Sequence, residues 1–108
     1  MTSHADLISE KDLAATVDAL AETFGWKVFG VLEQRVYARR LSKGFPDRVM
    51  VRGGQLLFIE YKSEKGELSA EQEQWIRELD ECSDPEKGPV KVYVLRPSDL
   101  DSIEEILR

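Results

Sequence analysis

The chain of 108 residues contains one cysteine and one histidine. A lone Cys82 excludes an intramolecular disulfide and any zinc cage built on cysteines. His4 sits in a polar leader, MTSHADL, apart from every patterned segment, and is not read as a ligand. No apolar run approaches the roughly 20 residues that span a bilayer, and nothing ahead of the first helix reads as a signal peptide. A cytoplasmic setting without a membrane partner is expected. No glycine-rich phosphate loop is present, so no nucleotide cofactor is expected. Internal repeats, low-complexity runs and interdomain linkers are also missing.

What is there fits one globular domain over residues 1–108, with 1–8 read as a flexible leader. Hydrophobic residues make up 42% and charged residues 33% of the chain, as in ordinary soluble domains. The net charge of −6 speaks against nucleic acid until its distribution is considered. Residues 1–26 hold one base and five acids, and residues 63–108 hold six bases and thirteen acids. Between them, residues 27–62 hold eight bases and three acids. A phosphate backbone can dock on that basic block although the whole molecule is acidic. A chance cluster of solvated arginines and lysines is the alternative.

The block ends in GFPDRVMVRGGQLLFIEYK, residues 44–62. Residues 48–52 and 55–61 are rich in β-branched and aromatic types, and Gly53-Gly54 between them signals a two-residue hairpin loop. That loop fixes the register. Arg52 faces Gln55, Val51 faces Leu56, Val49 faces Phe58, and Asp47 faces Glu60. Asp47, Val49 and Val51 then share a face with Leu56, Phe58, Glu60 and Lys62. Two carboxylates opposite each other repel unless something neutralises them. Solvated edge acids with a lysine counter-ion are one outcome; a divalent cation between them is the other. The apolar neighbours Val49, Val51, Leu56 and Phe58 imply partial burial, which favours the cation.

The rest of the chain alternates helix and strand signals. Ser9 caps a helix whose apolar stripe is Leu13, Val17, Leu20 and Phe24, and Gly25 ends it. Glu10, near the edge of the stripe, is the carboxylate of this helix best placed to face the sheet; an acid serving only the helix dipole is the alternative. Residues 26–32 read as a strand. Arg35, Arg39, Arg40 and Lys43 in the following connection read as phosphate contacts, with Tyr37 either stacking on a base or packing on the domain. Ser69 and Gln72 form a capping box for a second helix with Trp75, Ile76 and Leu79 on one face. Trp75 is read as a core residue. Residues 84–89 form a loop, 90–95 a strand, and Ser98 is expected to cap a last helix. The order α-β-β-β-α-β-α predicts an α/β fold, a mixed β-sheet flanked by helices, with a parallel crossover between the strands at 55–61 and 90–95.

Gly44-Phe45-Pro46-Asp47 followed by Glu60-Tyr61-Lys62 resembles the Pro-Asp…Glu-x-Lys signature of the PD-(D/E)XK nuclease superfamily. Lys65-Gly66, Leu68-Ser69-x-x-Gln72-x-x-Trp75 and Arg96-Pro97-Ser98-Asp99 resemble the pattern of its VRR-NUC (virus-type replication-repair nuclease) members. The resemblance runs from Glu10 to Leu107. It implies a restriction-endonuclease-like core and Mg²⁺-dependent (or Mn²⁺-dependent) hydrolysis of DNA. Asp47, Glu60 and the Tyr61 carbonyl would hold the ion, Lys62 would orient water and stabilise charge, and Gln72 and Glu10 would support the site. It also implies a homodimer in a bacterial or phage-infected cell. The substrate would be branched, flap or four-way-junction DNA in replication, recombination or repair. Members often carry a histidine near the basic connection, and this chain has none there. Two other classes stay open: an idle nuclease-like fold that binds DNA or protein, and an acidic interaction protein.

Overall fold

The computed structural model describes residues 4–31, 43–83, 86 and 90–108. Ala5–Leu7 make a short 3-10 turn ahead of α1 (Glu10–Thr23). Then come β1 (Lys27–Gly30), β2 (Arg48–Arg52), β3 (Gln55–Tyr61), α2 (Ala70–Glu81), β4 (Val90–Leu95) and α3 (Leu100–Leu107). The sheet order is β1-β2-β3-β4, with antiparallel pairs at β1–β2 and β2–β3 and a parallel pair at β3–β4. This is the mixed sheet and element order the pattern predicts.

Local chemistry accounts for the boundaries. Ser9 Oγ accepts the Asp12 N–H at 3.0 Å and starts α1. Gly53 and Gly54 take φ of +52° and +82°, the left-handed pair that a tight hairpin turn requires. The β2–β3 register runs from Arg52↔Gln55 through Val49↔Phe58 to Arg48↔Ile59, as the two-residue loop dictates. Ser69 and Gln72 close the expected capping box on α2. Ser98 does not cap the last helix. Pro97–Asp99 form a 3-10 turn, Asp99 Oδ2 turns back to the Arg96 N–H at 2.7 Å, and α3 begins only at Leu100. Proline at the first position favours that tighter turn. The first strand is also shorter than expected. Trp26 leaves the ladder, buries its ring, and donates Nε1–H to the Leu107 carbonyl at 2.8 Å.

The two faces of the sheet differ in depth. Met50, Leu57, Ile59 and Tyr61 point at α1 and α3 and form the core with Leu13, Val17, Ala21, Ile103 and Leu107. Arg52 lies on that same face. Its guanidinium donates to the carbonyls of Phe24, Leu107 and Arg108 and sits 4.4 Å from the Trp26 ring. A cation is thereby fixed at the negative ends of two helices. On the opposite face α2 packs against β4 without burying any of its own residues. Trp75 is therefore not a core residue. It meets Phe45 edge-on at 4.9 Å, and Phe45 meets Phe58 at 5.8 Å, making a small second cluster. Phe29 and Val51 stay exposed on this side.

Candidate active site

The acids of the hairpin meet above the α2 side of the sheet. Glu60, on β3, is only 2% exposed. Its Oε1 accepts the Gln72 Nε2–H at 3.0 Å. Its Oε2 is the one buried side-chain N or O atom among the described residues without a hydrogen-bond partner. Asp47 lies beside it, one position before β2 begins. The β2–β3 ladder stops at Arg48↔Ile59, so Asp47 is not a strand residue paired with Glu60 as the register alone suggests. Its Oδ2 instead accepts the Tyr61 N–H at 2.9 Å, and its carbonyl accepts the Val31 N–H at 2.9 Å. A carboxylate thus takes the place of the next ladder bond and ends the pairing.

Two ionised carboxylates cannot hydrogen-bond to each other; a shared proton or a cation completes the pair. Burial first, then the charge of Asp47, pushes the Glu60 carboxyl from its ordinary 4.5 up to about 8. Lys62 pulls it down, while the charge of Glu10 pushes it up. The orphaned Oε2 and an all-oxygen donor set fit a hard divalent ion. No group of three or more His, Cys, Asp or Glu side chains forms a metal cage among the described residues. An ion that retains several waters needs no such cage.

Further contacts hold the acids and the lysine that follows them. Gly44 takes φ of +84°, and a Cβ there would lie 2.5 Å from the Glu71 carbonyl carbon and 2.7 Å from the Gln72 nitrogen. Only glycine lets the Asp47 loop dock on the first turn of α2. Pro46 is fully buried beneath it. Gln72 Oε1 is engaged by the Ser69 N–H at 2.8 Å, which leaves the Nε2 donor facing Glu60. Lys62 continues the sheet through its N–H to the Leu95 carbonyl. The turn after it is clamped by Arg96, whose Nη1 donates to the Ser63 and Gly66 carbonyls at 2.8 and 2.6 Å. Nothing in the spacing of the sequence marks Arg96 as that clamp, although the residue lies in a segment the family pattern singles out.

Asp47 stands between two clefts. One, of about 410 Å³, is lined by Lys43, Gly44, Phe45, Ser69 and Gln72 with Asp47. The other, of about 190 Å³, is lined by Glu10, Lys11, Ala14, Arg48 and Tyr61 with Asp47. Glu10 is thus brought to the site, on its α1 side, while staying exposed to solvent. Lys43 pairs with Glu71 at 3.2 Å. Arg35, Tyr37, Arg39 and Arg40 lie outside the described residues. Tyr61, expected to matter only through its carbonyl, also uses its side chain: the hydroxyl donates to Asp18 Oδ1 at 2.9 Å. Burial and the Asp18 charge push that phenol above its ordinary range, so it remains a donor.

Comparison with known families matches the VRR-NUC domain over residues 8–99. That span covers Glu10, both hairpin acids, Lys62 and Gln72. Comparison with curated proteins and with solved structures returns no match.

Proposed function

The chain belongs to the VRR-NUC domain family, a nuclease family acting on DNA, and from that premise we propose that it is a metal-dependent endonuclease hydrolysing DNA phosphodiesters, selective for branched, flap or junction structures. The observation that carries the reading is the buried Glu60 carboxylate, with one oxygen unpartnered beside Asp47. Asp47, Glu60 and the Tyr61 carbonyl hold Mg²⁺, with Mn²⁺ as a substitute. The bound ion supplies charge neutralisation at the scissile phosphoryl and activation of a water. Lys62 offsets charge developing on the phosphate. Gln72 fixes the Glu60 carboxylate through its Nε2–H and lines the larger cleft, where the phosphate sits. Glu10 adds a negative charge on the α1 side of Asp47. Lys43 exchanges Glu71 for a DNA phosphate, together with Arg35, Arg39 and Arg40 from the basic connection.

A homodimer gives the domain two sites for the two strands of a branched substrate. The exposed apolar pair Phe29 and Val51 supports a partner on the β1–β2 side. Cleavage of single-stranded, duplex, flap and four-way-junction DNA with and without Mg²⁺ tests the reading. Wild-type protein cuts at least one branched form, and Lys62→Ala cuts none while keeping its fold. Metal-independent cutting, or an active Lys62→Ala, refutes it. An idle fold that only binds DNA would bind these substrates and cut none.

A further inference from the structure

Asp18 lies on α1, across the sheet from Glu60, and takes no part in the acid pair. Yet its half-buried carboxylate closes a ring of hydrogen bonds through the two residues that flank Glu60 in the site. Oδ2 accepts Arg48 Nε–H at 3.0 Å, and Oδ1 accepts the same group at 3.2 Å. Arg48 Nη1 donates to the Asp47 carbonyl at 3.0 Å, and its guanidinium lies 5.5 Å from the Tyr61 ring centre. The Tyr61 N–H holds Asp47 Oδ2, and the Tyr61 hydroxyl returns to Asp18 Oδ1. Asp18, Arg48, Asp47 and Tyr61 therefore form one closed circuit.

A helix tethered to a sheet needs only an ion pair. The bond from Arg48 to the Asp47 carbonyl and the buried Tyr61 hydroxyl do something more. They fix the backbone of position 47 and the direction of strand residue 61, one supplying a carboxylate to the site and the other a carbonyl. Groups that orient ligands from outside the ligand set govern affinity for the ion. We infer that Asp18 is a positioning residue, acting through Arg48 and Tyr61 to hold Asp47 and the Tyr61 carbonyl in the geometry that receives the divalent ion. This rests on the metal reading given above.

The test is calorimetric titration of the full chain with Mg²⁺ in the absence of DNA, on wild type, Asp47→Ala, Asp18→Asn, Tyr61→Phe and the Asp18→Asn/Tyr61→Phe double variant. Thermal unfolding and far-ultraviolet circular dichroism run alongside. Wild type binds and Asp47→Ala does not. Asp18→Asn and Tyr61→Phe each keep the wild-type spectrum and bind roughly tenfold more weakly. The double variant loses less than the product of the two, because both cut one ring. In cleavage assays the half-saturating Mg²⁺ concentration rises while the KM for DNA stays fixed. Folded Asp18→Asn and Tyr61→Phe proteins with wild-type affinity overturn the inference and leave the metal reading standing. Wild type that binds no Mg²⁺ overturns both. If Asp18→Asn does not fold, Tyr61→Phe, which removes a single oxygen, decides alone.

Discussion

Binding of a divalent ion should expel a proton from the acid pair. Burial and Asp47 hold the Glu60 carboxyl at about 8. At about pH 7 it is ionised in roughly one molecule in eleven, so each ion bound displaces about 0.9 proton. Between about pH 6 and about pH 8 the ionised fraction rises from about 1% to about 50%. The apparent association constant for Mg²⁺ should therefore climb about fiftyfold over that interval, and level off above it. The proton belongs to the pair, so the count does not depend on which carboxylate carries it. Calorimetry at one pH in two buffers of different ionisation enthalpy measures the release directly, as the slope of observed heat against buffer enthalpy. Repetition from about pH 6 to about pH 9 gives the affinity curve. Glu60→Gln should abolish both the release and its pH dependence, with most of the binding. A slope of zero in the wild type, or an affinity flat across the interval, refutes the buried-acid reasoning.

The same acid predicts how the metal-free protein responds to pH. Its folded-state pKa is raised, so the folded chain holds a proton that the unfolded chain gives up. The contribution is full below about 4.5 and is lost progressively as pH rises to about 8. By the pKa difference alone this approaches about 5 kcal/mol, and chemical denaturation at stepped pH should show the decline, with saturating Mg²⁺ reversing it. Gly44→Ala adds a Cβ 2.5 Å from the Glu71 carbonyl carbon at a positive φ. It should lower stability by about 2–4 kcal/mol and depress cleavage, as measured by thermal unfolding and by turnover at saturating DNA. Arg96→Met frees the turn after Lys62 and should lower stability by about 2 kcal/mol. Its cleavage should fall in kcat with KM unchanged, and an unaltered kcat would remove Arg96 from the account of Lys62.

Much of this architecture is legible in the residues themselves. The hairpin register follows from two glycines and strand alternation, both local effects, and the structure reproduces it from Arg52↔Gln55 to Arg48↔Ile59, stopping one step short of the expected Asp47–Glu60 pair. The capping box at Ser69 and Gln72 is equally local. The depth of Glu60 is not, because it depends on what covers it. Val51, expected to help bury the acids, is exposed, while Gln72 reaches Glu60 from α2, an element that the crossover brings there. Ser98 misleads because a serine after proline looks like a helix cap, while the neighbouring Asp99 makes the stronger turn-forming bond. The Asp18 circuit spans 30 and 43 residues of sequence. One unused signal could have found it. Arg48 and Arg52 alternate with Met50 on the core side of β2, and an arginine turned inward requires an acceptor.

Gln72 carries a consequence beyond its own contact. An amide side chain offers an oxygen on one side and a nitrogen on the other, and rotation by half a turn exchanges them. Here the start of α2 claims the oxygen, so the polarity presented to Glu60 is inherited from the way a helix begins. Glutamate at this position would satisfy the Ser69 N–H equally well and yet turn a donor into a third negative charge against the acids. A residue that looks interchangeable by the standards of helix capping is thereby made irreplaceable by its neighbour on the sheet.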